Sequence, residues 1–193
     1  MTEPYKLIRK RKGDAHFHTN WTDGADTIEE MIKSATSVNL DWILFSEHNR
    51  KNSEYSYSSF FLNIKKFSNS YPNINLFCGA ECKILDLDGN IDISSEALNL
   101  AELITGVVHR FPSEVGNIMN SRNKIYSKEE KEEALNLEKE LSISGIRKGK
   151  FSILGHPLGM TIRRFKLIPE ISHFVDLINE CKSYNVMFEL NLR

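Results

Sequence analysis

Residues 13–24 read Gly-Asp-Ala-His-Phe-His-Thr-Asn-Trp-Thr-Asp-Gly. Two histidines, His16 and His18, stand two apart at the close of a first predicted strand. On a strand, residues two apart face the same way, so two imidazoles in this spacing converge on one point. Asp23 follows in Thr22-Asp23-Gly24, which reads as a turn. Taken singly, each of these residues has an ordinary alternative: two unrelated surface histidines and a plain turn aspartate. What they mean depends on what the rest of the chain places beside them.

Outward from this stretch, strands and helices alternate. Trp42 to Phe45 is a short apolar run, as expected of a strand buried on both faces, and Leu76 to Cys78, Gly106 to Val108, Ser152 to Leu154 and Val186 to Leu192 read likewise. Between them, Ile28, Met31, Ile32 and Ala35 form one helical stripe, preceded by the capping-box pair Thr27 and Glu30. Phe174, Leu177, Ile178 and Cys181 repeat that spacing. A further helix is expected from Ser127 to Leu141, with Ala134, Leu137 and Leu141 inward and the charged run Lys128 to Glu133 on a solvated face. Ile84 to Ile93, ILDLDGNIDI, reads as a β-hairpin turning at Asp88-Gly89. The class is α/β, with a parallel sheet or barrel.

In such folds the active site gathers at the C-terminal ends of the strands. The chain has six histidines. His16 and His18 close the first strand, while His48, His109 and His156 each follow a later one, as does Glu81; His173 alone lies elsewhere, next to a helix. Mixed nitrogen and oxygen donors suit Zn, Mn or Fe rather than a thiolate site. There is no P-loop, no GxGxxG and no GxSxG nucleophile elbow. The pattern therefore points to a metal site, and a cluster of divalent ions there would activate water and could neutralise a phosphate group.

The bulk numbers agree with an enzyme-sized domain. With 193 residues, 40% hydrophobic and 26% charged, the chain can bury a core and is not of disordered composition. A net charge of −1 demands neither nucleic acid nor an anionic membrane as partner. Lys6 to Lys12 and Arg147 to Lys150 are the local basic stretches that can hold a nucleic-acid backbone, with plain solvated surface as the other reading. Cys78, Cys82 and Cys181 lack CxxC spacing and are expected reduced in the core. No signal peptide and no membrane-spanning run is seen, and a cytoplasmic location is expected.

In order, these motifs resemble the PHP (polymerase and histidinol phosphatase) superfamily. Residues 13–24 with Glu30-Met31 resemble its D-x-H-x-H-T segment and the S/T-D-G that follows; Ser46-Glu47-His48-Asn49 resembles its T-D-H; Gly79-Ala80-Glu81 with the hairpin resembles its third motif. Val108-His109, Leu154-Gly155-His156-Pro157-Leu158-Gly159 and Phe188-Glu189-Leu190-Asn191 resemble the later ones. The details are most similar to the PHP domains attached to bacterial family X DNA polymerases.

The resemblance implies a distorted (β/α)7 barrel, here incomplete at the C-terminus, with up to three divalent metals. By position, His16, His18 and Glu81 are implied to bind the first metal, Glu81 with His109 and His156 the second, and Asp23 with His48 the third. Hydrolysis by a metal-activated hydroxide is implied, with Asp14 orienting an imidazole from behind and Arg163, Arg164 and Arg110 gripping substrate phosphate. Residues 1–12 read as a basic N-terminal segment and 13–193 as the PHP domain.

Two departures stand out. Glu47 replaces the usual aspartate before His48, and the family's closing D-x-H is not found before Arg193. A missing last strand is expected to leave an exposed sheet edge, lower stability and homo-oligomers. The expected activity is a phosphatase on small phosphomonoesters. The alternatives are a 3′-5′ exonuclease or 3′-end phosphodiesterase on DNA, and a non-catalytic metal-binding module.

Overall fold

Trp42 to Phe45 extends in the structure to a seven-residue strand, and its first six residues are buried. The structure, a computed structural model, describes residue 8 and residues 11–112 and 125–190. The chain divides into two units, Met1–Glu81 with Ile93–Thr105, and Cys82–Asp92 with Gly106–Arg193.

In the first unit, β1 (Gly13–Phe17) pairs parallel with β2 (Trp42–His48), and β2 pairs parallel with β3 (Asn75–Ile84) in a register that sets His48 opposite Glu81. Among the described residues this unit carries the helices α1 (Ile28–Ser37), α2 (Tyr57–Ser70) and α3 (Ser95–Leu100). The expected capping box forms at Thr27 and Glu30, and Ile28, Ile32 and Ala35 of α1 are buried. Helix α2 was not expected, although Tyr57, Phe60, Phe61 and Ile64 repeat the i, i+3, i+4, i+7 spacing. Its Ser58, Ser59, Asn63, Ser68, Asn69 and Ser70 are weak helix formers. It folds on the Ser56 cap and on burial of Tyr57, Phe60 and Ile64.

The second unit holds the expected hairpin, in which Lys83 and Ile84 at the end of β3 pair antiparallel with Asp92 and Ile91 of β4 (Ile91–Asp92). The Asp86 carboxylate closes the turn by accepting from the backbone N–H groups of Asp88 and Asn90 at 3.1 and 3.0 Å. Gly89 sits at φ +72, and a Cβ there would lie 2.3 Å from the Ser144 carbonyl oxygen, so only glycine fits.

Helix α4 (Lys128–Lys148) starts on a Ser127–Glu130 capping box and ends at Gly149, which adopts the left-handed conformation. It runs past the expected end at Leu141 because Gly145 and Ile146 continue the buried stripe begun by Ala134, Leu137 and Leu141. In the charged run, Lys128, Glu129, Glu132 and Glu133 are exposed, as expected.

The strand β5 (Leu103–Val107) leads from the first unit to the second, where the Gly155 N–H donates to the Gly106 carbonyl at 3.0 Å. There β6 (Ile153–Leu154) pairs parallel with β7 (Met187–Phe188) after α5 (Ile171–Ser183). In α5 Leu177 and Cys181 are buried, while Ile178 is exposed. The expected strand to Leu192 is realised only at Met187–Phe188; Asn191 and Leu192 lie outside the described residues, as does most of the Lys6 to Lys12 stretch. All three cysteines are buried and lie outside any disulfide. Among the described residues no helix is long and apolar enough to cross a membrane.

Candidate metal centre

The first unit gathers five of the sequence-derived donors. The pair His16 and His18 converges, with ring centroids 5.1 Å apart, but not by simple alternation. Between Asp14 and Phe17 the β1–β2 register shifts: Asp14 faces Ile43 and Phe17 faces Phe45. Such a bulge re-aims a side chain at the end of a strand. The Ser46 hydroxyl donates to the Ala15 carbonyl at 2.9 Å within it. Asp14, expected to orient an imidazole, accepts from the backbone N–H of His16 at 3.0 Å, so it holds the main chain that carries the ring.

Glu81, with a side chain 1% exposed, is the centre of the group. Its Oε1 lies 3.2 Å from His16 Nε2 and its Oε2 lies 3.8 Å from His18 Nε2; His48 Nδ1 contacts the same Oε2. Asp23 reaches the other side of the two later rings, with Oδ2 3.3 Å from His48 Nε2 and Oδ1 3.8 Å from His18 Nδ1. Two triads result, His16–His18–Glu81 and His18–Asp23–His48, in each of which the donor atoms lie within 4.8 Å of one another.

The electrostatics of this group suit a cation. Burial drives the His18 pKa down to about 4 against the pull of Glu81, so the ring is neutral near pH 7 and offers a lone pair. Its Nδ1 is buried without a hydrogen-bond partner, a cost that a coordinated ion would remove. For His48 burial also acts downward, yet its hydrogen bond to Glu81 and attraction to Glu81 and Asp23 prevail and raise its pKa. Three imidazoles and two carboxylates form a nitrogen–oxygen donor set that fits a borderline divalent ion.

The second unit holds the other two of the expected donors, His109 and His156. His109 and His156 stack at 19° with their Nε2 atoms 3.2 Å apart. His156 takes a positive φ of 26°, and its backbone N–H donates to the Glu189 carboxylate at 2.8 Å. Arg163 and Arg164 lie on a π-helical turn, Thr161–Phe165, where Arg163 is exposed and Arg164 half-buried. Arg110 is exposed and lines an open cleft of about 430 Å³ with Lys83, Asp86 and Asp92.

Two buried acids were not assigned roles from the sequence. Glu47 is 0% exposed, and burial raises its pKa. Glu138 on α4 is 2% exposed; it accepts from the N–H groups of Met160 and Thr161 at 3.0 and 2.7 Å and from the Thr161 hydroxyl at 2.6 Å, anchoring the turn that carries the arginines. The available signal was position: Glu138 falls on the same stripe as Ala134 and Leu141, where a charged residue needs a partner.

The PHP domain profile matches residues 14–193. The chain belongs to the PHP domain family. Among curated relatives, a protein named probable phosphatase from Caldicellulosiruptor saccharolyticus is 26% identical over 115 residues, covering 59% of this chain and 48% of that protein. A second probable phosphatase, from Caldicellulosiruptor bescii, is 28% identical over 97 residues, 50% of this chain and 40% of the relative. The DNA polymerase/3'-5' exonuclease PolX of Bacillus subtilis is 22% identical over 191 residues, 93% of this chain and 29% of the polymerase. This PHP chain therefore spans less than half the length of each of these relatives. It has the α/β class expected of a PHP barrel, with parallel strands connected through helices.

Proposed function

We propose that this PHP chain is a metal-dependent phosphoesterase that hydrolyses small phosphomonoesters. The observation that carries the proposal is the first-unit cluster, in which the buried Glu81 carboxylate faces His16, His18 and His48 while Asp23 faces His18 and His48. The likeness to two proteins named probable phosphatase supports the same reading.

When bound, divalent ions, Zn, Mn or Fe, supply an activated water and neutralise phosphate charge. In this reading His16, His18 and Glu81 hold one ion, Asp23 and His48 a second, and His109 and His156 serve as further ligands. The chain supplies the rest. Glu81 and Asp23 balance positive charge, the neutral His18 ring offers a lone pair without first losing a proton, and Arg163 and Arg164 offer forked donors to phosphate oxygens. Arg110 is the weaker candidate for that last role.

A second reading has its own support. The match to PolX runs over 93% of this chain, which favours a 3′-5′ exonuclease or 3′-end phosphodiesterase acting on DNA.

The two are separated by assaying the purified protein, loaded with Mn or Zn, on p-nitrophenyl phosphate and on labelled single-stranded DNA, with His16→Ala as control. Hydrolysis of the small ester that His16→Ala abolishes is the expected result. Preferential shortening of the DNA favours the second reading. Hydrolysis untouched by His16→Ala overturns the assignment of the site. Silence on both substrates with every metal leaves a non-catalytic metal-binding module.

A further inference from the structure

Glu47 sits beside His48 on β2, yet its carboxylate does not join the donor cluster. It is fully buried against the loop that follows β1. Its Oε1 accepts from the backbone N–H of Thr19 at 2.7 Å and from the Thr19 hydroxyl at 2.6 Å, while its Oε2 accepts from the Thr22 hydroxyl. The Thr19 hydroxyl in turn accepts from the Trp21 N–H at 3.3 Å. The Thr19 carbonyl accepts from the N–H groups of Thr22 and Gly24 at 3.1 and 3.0 Å, closing residues 19–24 into a tight loop. Gly24 packs so closely on this loop that a Cβ would lie 2.3 Å from the His18 carbonyl oxygen. Asp23 is carried between the two points that Glu47 and Gly24 secure, and it is itself largely exposed, with a side chain 67% accessible.

These contacts have one common effect. An exposed aspartate in a loop has many rotamers and no packing to choose among them. Here the loop beneath it is tied by three hydrogen bonds to the strand that also presents His48. Asp23 Oδ2 and His48 Nε2 are 3.3 Å apart, and Glu47 stands on both sides of that contact: its carboxylate ties the loop that carries Asp23, and its backbone leads directly into His48.

We propose that Glu47 is a positioning residue for the Asp23–His48 pair, and that it sets the affinity of the ion held there without being a ligand and without governing the His16–His18–Glu81 triad. The proposal rests on the metal reading given above. It also accounts for the longer acid at this position: the carboxylate has to reach across to both Thr19 and Thr22.

Three variants test it, with Mn2+ titrations by calorimetry as the readout and metal-free thermal melts as a control for folding. Asp23→Ala defines the class of bound Mn2+ that depends on the pair. Thr22→Val removes one tie while keeping side-chain shape, and Glu47→Ala removes all three. Both are expected to weaken that same class by about tenfold and to leave the other class at wild-type affinity, the cost typical of losing an outer partner of a metal ligand. Glu47→Gln is expected to restore it: the amide oxygen can accept from Thr19, and the amide N–H can donate to a Thr22 hydroxyl that reverses its role.

Wild-type affinity for every ion in Thr22→Val and Glu47→Ala overturns the inference, as does equal weakening of both classes. If Glu47→Ala does not fold, Thr22→Val decides alone. If Asp23→Ala binds the wild-type complement of Mn2+, the metal reading of that pair has failed, and the clamp inference falls with it.

Discussion

In the first unit a buried carboxylate faces three imidazoles; in the second, two imidazoles face each other, Nε2 to Nε2, at 3.2 Å. The difference is one of charge and of support. Glu81 and Asp23 bring two negative charges to the first group, enough to balance a divalent ion. His109 and His156 bring none while neutral. The supports differ too. The first group hangs on the ends of three paired strands and on a loop tied by Glu47. His156 instead hangs on a strained backbone turn at φ 26°, held by the Glu189 carboxylate. A pre-positioned group that includes carboxylates in one unit and a pair of facing imidazoles in the other make different predictions.

The largest expected effect is at Glu81. Glu81→Ala removes the carboxylate that touches His16, His18 and His48, and turnover of p-nitrophenyl phosphate should fall by more than about a hundredfold, beyond what loss of an outer partner costs. Steady-state kinetics at saturating Mn2+ measures it. His109→Ala should cost less and, unlike Glu81→Ala, should leave Mn2+ binding by the first unit in place, as metal analysis of the two purified variants would reveal. Equal metal loss in both would erase the contrast between the units.

A third effect is smaller and concerns protons. His18 has its pKa lowered to about 4 by burial, so above about pH 5 it holds no proton to lose. His48 has its pKa raised by Glu81 and Asp23, so near its own pKa it must lose a proton before an ion can bind. Calorimetry of Mn2+ binding at pH 6.5, in buffers of different ionisation heat, should therefore show proton release that His48→Ala reduces and His18→Ala does not. The metal-free fold follows the same signs. The His18 contribution is present above about pH 6.5 and is lost as pH falls toward 4; the His48 contribution is present at low pH and is lost as pH rises through its raised pKa.

The smallest effect lies away from the donors. Thr27→Ala breaks the capping box of α1 and should cost about 1 kcal/mol in a chemical melt, with no change in Mn2+ affinity.

Much of this was legible in the residues, and the parts that were not share a cause. Strand-end histidines could be placed because short apolar runs and the loops after them are local patterns: His48 and Glu81 closed such runs and are register neighbours in the structure. The His16–His18 pair converges as expected, but through a bulge, and a bulge depends on how β1 meets β2 rather than on either strand alone. Helix α2 is the exception: Tyr57, Phe60, Phe61 and Ile64 stand at helical spacing behind the Ser56 cap, and only the serine- and asparagine-rich remainder of the segment masks them. Glu138 was passed over because its partners, Met160 and Thr161, lie more than twenty residues away. The exposure of Ile178 was hidden for the same reason: periodicity names a stripe but not its neighbour.

The account stands on the first-unit cluster as a holder of divalent ions. The most direct measurement is a Mn2+ titration of the wild-type chain and of the double variant His16→Ala/Glu81→Gln, following the electron paramagnetic resonance signal of free Mn2+. The account predicts that the wild type removes Mn2+ from solution stoichiometrically and that the double variant, having lost the His16–His18–Glu81 triad, takes up at least one ion fewer per chain. Equal uptake by the two proteins, both folded, would contradict it.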